Sequence, residues 1–194
     1  MSILTTMVMG RNNTEIFGGK EKKKFMVQAT IVLLLIFAFG IWFKQNYRFG
    51  APKNHSACID GHFFITNIKD LEPVRNGIFK YEARGIDTLI ANEEWREPFA
   101  DGAPMMKFLR GMPGDTVKVT TERVFINGEP VEGATGLALY KTLGQETPDH
   151  FHTTLTLAED EYFFLGTSDD SYDSRYWGPV KKDQIQGRAY VLVE

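Results

Sequence analysis

Residues 116–128 read Thr116-Val117-Lys118-Val119-Thr120-Thr121-Glu122-Arg123-Val124-Phe125-Ile126-Asn127-Gly128. The short apolar run over 116–120 reads as a strand. Val124-Phe125-Ile126 followed by Asn127-Gly128 is a hairpin signal, because Asn-Gly accepts the positive φ values that a type I′ turn needs. Working outward, similar short runs at 62–65, 77–81, 161–165 and 189–193 are separated by turn residues. Residues 132–155 carry three glycines, Pro148 and mixed polar residues with no clear period. They read as an insertion on the β core, with a short helix near Leu137 to Leu143. The pattern predicts an all-β fold of many short strands plus one membrane helix.

That helix is expected from Phe25 to Phe43, 19 residues with no charge and only Gln28 and Thr30 polar. At about 1.5 Å per residue it just spans a hydrocarbon core of about 30 Å. Lys20, Lys22, Lys23 and Lys24 precede it, Trp42 sits at its far end, and Lys44, Arg48 and Lys53 follow. The larger cluster in front favours an N-terminus in the cytoplasm. A signal-peptide apolar region is usually about 7–15 residues and ends at a small-residue site that is missing here. A core helix would show a polar face. The expected organisation is a cytoplasmic tail over 1–24, a transmembrane anchor over 25–43 and an exported domain over 44–194, whose residues 44–55 read as a connector. A chain of 194 residues with a net charge of −3 allows one ordinary domain and offers no nucleic-acid surface.

Two further stretches carry chemistry. One is Lys107-Phe108-Leu109-Arg110-Gly111-Met112-Pro113-Gly114-Asp115. The other is Gly166-Thr167-Ser168-Asp169-Asp170-Ser171-Tyr172-Asp173-Ser174-Arg175-Tyr176-Trp177-Gly178. A lysine can act as a base only when neutral, so burial must offset an ordinary lysine pKa of about 10.4. Met105, Met106, Phe108 and Leu109 offer Lys107 that setting. The bland alternative is a surface lysine whose stem covers apolar neighbours. Ser and Asp are common in turns, so the second stretch could be a solvated loop, but a turn alone does not explain Ser174-Arg175-Tyr176-Trp177-Gly178.

Both stretches resemble the box motifs of the type I signal peptidases, the S26 family. There a lysine stands four residues before the glycine of a G-x-P-G-D turn, and a later box reads Asp-Ser-Arg-x-Trp-Gly. The resemblance covers roughly residues 54–80, 104–130 and 158–192, and it implies the mainly β signal-peptidase fold. It implies Lys107 as the catalytic lysine, Ser171 as the serine that orients it, and Asp173 with Arg175 as a structural salt bridge. After the glycine, the box departs from the housekeeping enzymes' Asp-Asn-Arg-Asp, with a shorter Thr167-Ser168-Asp169.

The family's nucleophile is a serine that begins S-M-x-P or, in the conjugative-pilus branch, S-x-P, and neither occurs here. In the TraF-like propilin-processing branch an asparagine precedes the nucleophile by four residues and an aromatic follows it by six. Counting from Asn54 and back from Phe64 both arrive at Cys58, the chain's one cysteine, with Asp60 where the branch has proline. The same register puts Ser56 where the family has a hydroxyl donor to the oxyanion, worth about 3 kcal/mol in a preorganised site. The rival assignment makes Ser56 the nucleophile and Cys58 a buried bystander. A thiol ionises more readily than a hydroxyl, and Lys107 could either accept its proton or stabilise a thiolate.

The resemblance therefore implies a single-pass bacterial inner-membrane peptidase with a periplasmic catalytic domain. Its expected partners are an exported precursor, most narrowly a propilin, and membrane lipid through the anchor. A housekeeping signal peptidase and an inert anchored assembly subunit are the alternatives. His150 and His152 form an H-x-H pair without a third ligand, so no metal is expected. No glycine loop follows a strand in phosphate-binding form, so no cofactor is expected.

Overall fold

The computed structural model describes residues 19–51, 58–59, 61–90 and 99–193. Asn54, Ser56 and Asp60 lie outside the described residues. The chain divides into two compact units, residues 1–45 and residues 46–194.

In the first unit, α1 (Gly19–Asn46) extends the uncharged run at both ends. Its 28 residues give a length of about 42 Å. Phe25, Leu33, Leu34, Leu35 and Phe37 are all exposed, and the helix has no buried residue. It is long and apolar enough to cross a membrane.

The second unit is mainly β. Its strands are β1 (Tyr47–Gly50), β2 (Phe63–Asn67), β3 (Ile78–Glu82), β4 (Pro104–Gly111), β5 (Thr116–Val119), β6 (Arg123–Ile126), β7 (Glu129–Thr135), β8 (Thr153–Thr156), β9 (Glu161–Leu165), β10 (Val180–Lys181) and β11 (Ile185–Val193). A short helix, α2 (Ser174–Trp177), follows β9. Seven strands form one sheet in the order β1-β2-β11-β3-β4-β9-β10, and four form a second in the order β7-β6-β5-β8. The paired strands run antiparallel.

The hairpin reading of 116–128 is met directly. β5 pairs β6, β6 pairs β7, and Asn127 and Gly128 take φ of 53° and 87° in the β6–β7 turn. Alternation decides which side chains face inward. On β4 Met105, Lys107, Leu109 and Gly111 are buried while Met106, Phe108 and Arg110 are half-buried, a period-two pattern. β9 instead buries four consecutive residues, Tyr162 to Leu165, as a strand covered on both faces does. With Phe79, Tyr81 and Val117 these residues form the core, each fully buried large side chain contributing about 1.5–3 kcal/mol.

The Gly111–Asp115 turn joins the two sheets. Asp115 accepts from the Met112 backbone N–H at 2.7 Å and the Asn127 amide at 2.8 Å, and it pairs with Arg75 at 2.8 Å. Burial disfavours its charge, but these three donors outweigh that and hold its pKa below the ordinary value. The turn is thereby tied to β6–β7 and to the segment before β3.

Two expectations are corrected. No helix forms near Leu137 to Leu143; the stretch is a run of hydrogen-bonded turns. Only seven residues separate Gly136 from Gly144, too few to offset helix nucleation unaided. Leu137, Leu139 and Leu143 are instead drawn into the core, and the Leu139 N–H donates to the Tyr176 hydroxyl at 2.9 Å. The expected connector over 44–55 also contains a strand. Tyr47 to Gly50 pair with Asn67 to Phe64 and form the edge of the large sheet.

Candidate active site

The site is assembled by the loop over residues 166–173, between β9 and α2. Lys107 is only 3 % exposed, and its ammonium donates to Ser171 Oγ at 2.8 Å. Its position follows from register. Phe79 on β3 stands opposite Lys107, so the lysine stem lies on the inner face of the large sheet among aromatic neighbours.

The same loop holds Cys58. The carbonyl of Cys58 accepts from the Thr167 N–H at 2.9 Å and from the Thr167 hydroxyl at 3.3 Å. Gly166 permits this approach. A Cβ there would meet Ser171 Oγ and would lie 2.9 Å from the Cys58 carbonyl oxygen. Cys58 is half-buried and a free thiol. Thus one loop grips the cysteine segment at Thr167 and the lysine at Ser171.

The loop is itself pinned by a buried ion pair. Arg175 and Asp173 are wholly buried, with Arg175 Nε on Asp173 Oδ1 and Nη2 on Oδ2, both at 2.8 Å. Asp173 also caps α2 by accepting from the Arg175 N–H at 3.2 Å and holds the Gly166 N–H at 2.8 Å. Arg175 Nη1 donates to the carbonyls of Thr135 and Gly136, each at 3.0 Å, and Nη2 to that of Ser171 at 3.1 Å. The guanidinium fork therefore ties the end of β7 to the loop. Ring contacts of Tyr172 with Trp177 and Phe99, and of Tyr176 with Phe151, seat α2 in the core.

Three groups at this site carried no signal in the sequence. Thr167 was visible only as a departure from the box motif, and nothing in the pattern marks a threonine that donates twice to one carbonyl. Tyr81 and Ser168 each bury a side-chain oxygen without a hydrogen-bond partner, and both sit beside this loop or within it. Ser56 lies outside the described residues. His152 bonds Thr121 at 2.8 Å and lies 3.4 Å from Asp149, away from this site. Among the described residues no His, Cys, Asp and Glu cluster could hold a metal.

A groove of about 600 Å³ runs along β7 between Arg123 and Thr167. Glu122, Arg123 and Glu132 give it charged walls. Neither Cys58 nor Lys107 lines it, so the chemistry-bearing groups lie beside this groove rather than within it.

One loop thus bonds a buried lysine through Ser171 and the backbone carbonyl of a half-buried cysteine through Thr167. The family model for signal peptidase, peptidase S26, matches residues 22–193. The chain belongs to the peptidase S26 signal peptidase family. Among curated relatives, the signal peptidase I of Leptolyngbya laminosa is 38 % identical over 87 residues, 44 % of this chain and 39 % of that protein. The probable signal peptidase I-2 of Synechocystis sp. (strain ATCC 27184 / PCC 6803 / Kazusa) is 31 % identical over 87 residues, 44 % of this chain and 36 % of that protein. The chain thus spans less than two-fifths of the length of these relatives. A solved signal peptidase I from Enterococcus faecalis V583 is 25 % identical, with 60 % of this chain and 96 % of that chain covered and a TM-score of 0.37.

Proposed function

We propose that this S26 family member is a membrane-anchored endopeptidase that trims exported precursor proteins with a Cys58–Lys107 pair. The observation that carries this reading is the double grip of residues 166–171, which bonds Lys107 through Ser171 and the Cys58 carbonyl through Thr167. In this reading the Cys58 sulfur attacks the scissile carbonyl and its proton goes to Lys107. Lys107 then protonates the leaving amine, so the peptide C–N bond breaks and a thioester remains. Water then attacks the thioester while Lys107 takes its proton, and Lys107 passes that proton to the departing sulfur, restoring the thiol. Ser56 supplies the oxyanion donor and Ser171 orients the lysine.

Residues 25–43 anchor the protein in the bacterial inner membrane, residues 1–24 stay in the cytoplasm, and 44–194 form the periplasmic domain. A periplasm-active reporter fused to the C-terminus is expected to be active. Activity only of a cytoplasmic reporter would reverse the orientation and remove the domain from its substrates.

The narrower substrate is a propilin of a conjugative system, supported by the register from Asn54 and Phe64 to Cys58. A thioester is open to attack by an amine, so joining the trimmed ends into a ring is chemically accessible. The second reading, general processing of secreted proteins, is favoured by the relatives, which are named as signal peptidase I. Incubating purified protein with a propilin and with a general secretory precursor separates them, since product masses distinguish cleavage, cyclisation and no reaction.

The same assay decides the nucleophile. Cys58→Ala is expected to be inert and Ser56→Ala to be slowed by about 10²–10³-fold, the scale of one lost oxyanion donor. Cys58→Ala at full activity with Ser56→Ala inert would transfer the role to Ser56. Loss of both activities with neither precursor cleaved by the wild type would favour an inert assembly subunit.

A further inference from the structure

We propose that the groove along β7 holds the polar segment of the precursor that follows the scissile bond. This rests on the precursor-trimming reading and adds where the leaving part of the chain lies.

Two residues join the groove to the site. Thr167 lines it, and the same residue donates from its N–H and its hydroxyl to the Cys58 carbonyl. Thr135 also lines it, and its carbonyl and hydroxyl accept from Arg175 Nη1 at 3.0 and 3.2 Å. Nη2 of that guanidinium bonds the carbonyls of Ser168 and Ser171 at 3.3 and 3.1 Å. One end of the groove is therefore fixed to the loop that bonds Lys107 and the Cys58 carbonyl. The corner before β6 is held as firmly. The Thr121 carbonyl accepts from the Leu137 N–H at 3.0 Å, and a Cβ at Gly136 would collide with that carbonyl. The groove is thus formed before any ligand arrives, which lowers the ordering cost of binding.

The strand itself favours an extended peptide. β7 is outermost in the small sheet, and no other described strand pairs its outer edge. Backbone groups on an open edge are what an extended segment takes up. Pro130 lacks an N–H, and Gly133 has φ of 71° where the register with β6 shifts. These two features blunt the edge against a long added strand, so the groove suits a short segment.

Charge chooses which part of the precursor enters. Glu122, Arg123 and Glu132 are exposed in the groove walls. The part before the cut is an apolar run closed by small residues, which gains nothing from such walls. The part after the cut is the polypeptide destined for water, and its polar side chains can pair with them. Two carboxylates stand against one guanidinium, so lysine in that segment is favoured over glutamate.

The test uses the full chain in detergent and two precursors that are identical up to the scissile bond. One carries lysine at alternate positions just after the bond, and the other carries glutamate there. The lysine form should be processed with kcat/KM about threefold higher, the scale of exposed ion pairs, and the preference should fade at high salt. Glu132→Lys reverses the balance of the walls, so the preference should invert while the melting temperature holds. A ratio of two substrates on one enzyme is not moved by a variant that merely folds less well. Equal processing of both forms by the wild type, or a preference that Glu132→Lys leaves in place, would overturn the proposal. If the wild type cleaves neither precursor, fluorescence anisotropy with labelled peptides of the post-cut segment alone decides. Lysine-peptide binding that weakens about threefold in Glu132→Lys would keep the groove as a site for a basic peptide and remove the peptidase reading. Unchanged or absent binding of that peptide would overturn the groove proposal too.

Discussion

Lys107→Ala is expected to stop precursor processing, with turnover down by about 10²–10⁴-fold, the contribution of a positioned acid–base group. The amine takes or gives a proton at each chemical step of the proposed reaction, and nothing else among the described residues bonds Ser171 Oγ. Lys107→Met serves as the companion variant, because it keeps an apolar stem of similar length among the neighbours of β4. It should be as inactive as alanine while holding the wild-type melting temperature. Lys107→Arg should fail too, since guanidinium stays protonated and cannot serve as the base. The check is product mass against time with a precursor substrate. An alanine variant retaining a tenth or more of wild-type turnover would remove Lys107 from the mechanism.

The second large effect is on stability. Arg175→Met would leave Asp173 buried and ionised with only backbone N–H partners, and would leave the Thr135, Gly136 and Ser171 carbonyls without their donor. Breaking a wholly buried ion pair from one side costs about 3–5 kcal/mol. For a domain of this size that lowers the melting temperature by roughly 6–20 °C. Turnover should fall as well, because the loop that bonds Lys107 and Cys58 loses its pin. Arg175→Lys should recover only a small part, since a point charge cannot serve two carboxylate oxygens and the carbonyls of Thr135, Gly136, Ser168 and Ser171 from one plane. The check is thermal unfolding of the full chain in detergent. A drop under about 1 kcal/mol in Arg175→Met would show that the network does not hold the loop.

The β character was legible because its signals are local. Asn127-Gly128 can turn a chain only in a few ways, and both residues adopt positive φ in a hairpin. The run Glu161–Leu165 is a strand over that same span, since a short apolar segment between turn residues has few other uses. Leu137 to Leu143 misled for the opposite reason. Its leucines at short spacing suit a helix, yet those contacts are made with Tyr176 and the core, not within the segment. Tyr47 to Gly50 read as a connector because an edge strand of four residues carries almost no pattern, and its partner β2 supplies the pairing.

The candidate site divides in the same way. Lys107, Ser171, Asp173 and Arg175 could be named in advance, because box motifs preserve residue type and spacing along the chain. Thr167 could not, because its role depends on atoms far away in sequence. Thr167 meets a carbonyl 109 residues before it, and Lys107 meets Ser171 across 64. By itself, the sequence determined an apolar N-terminal segment, a chain of short strands and the residue types of a peptidase-like site. Only the tertiary structure decided that one loop bonds both the Cys58 carbonyl and, through Ser171, Lys107. The reason is physical: turn and strand preferences act between near neighbours, whereas burial and hydrogen-bond satisfaction are properties of the packed sheets.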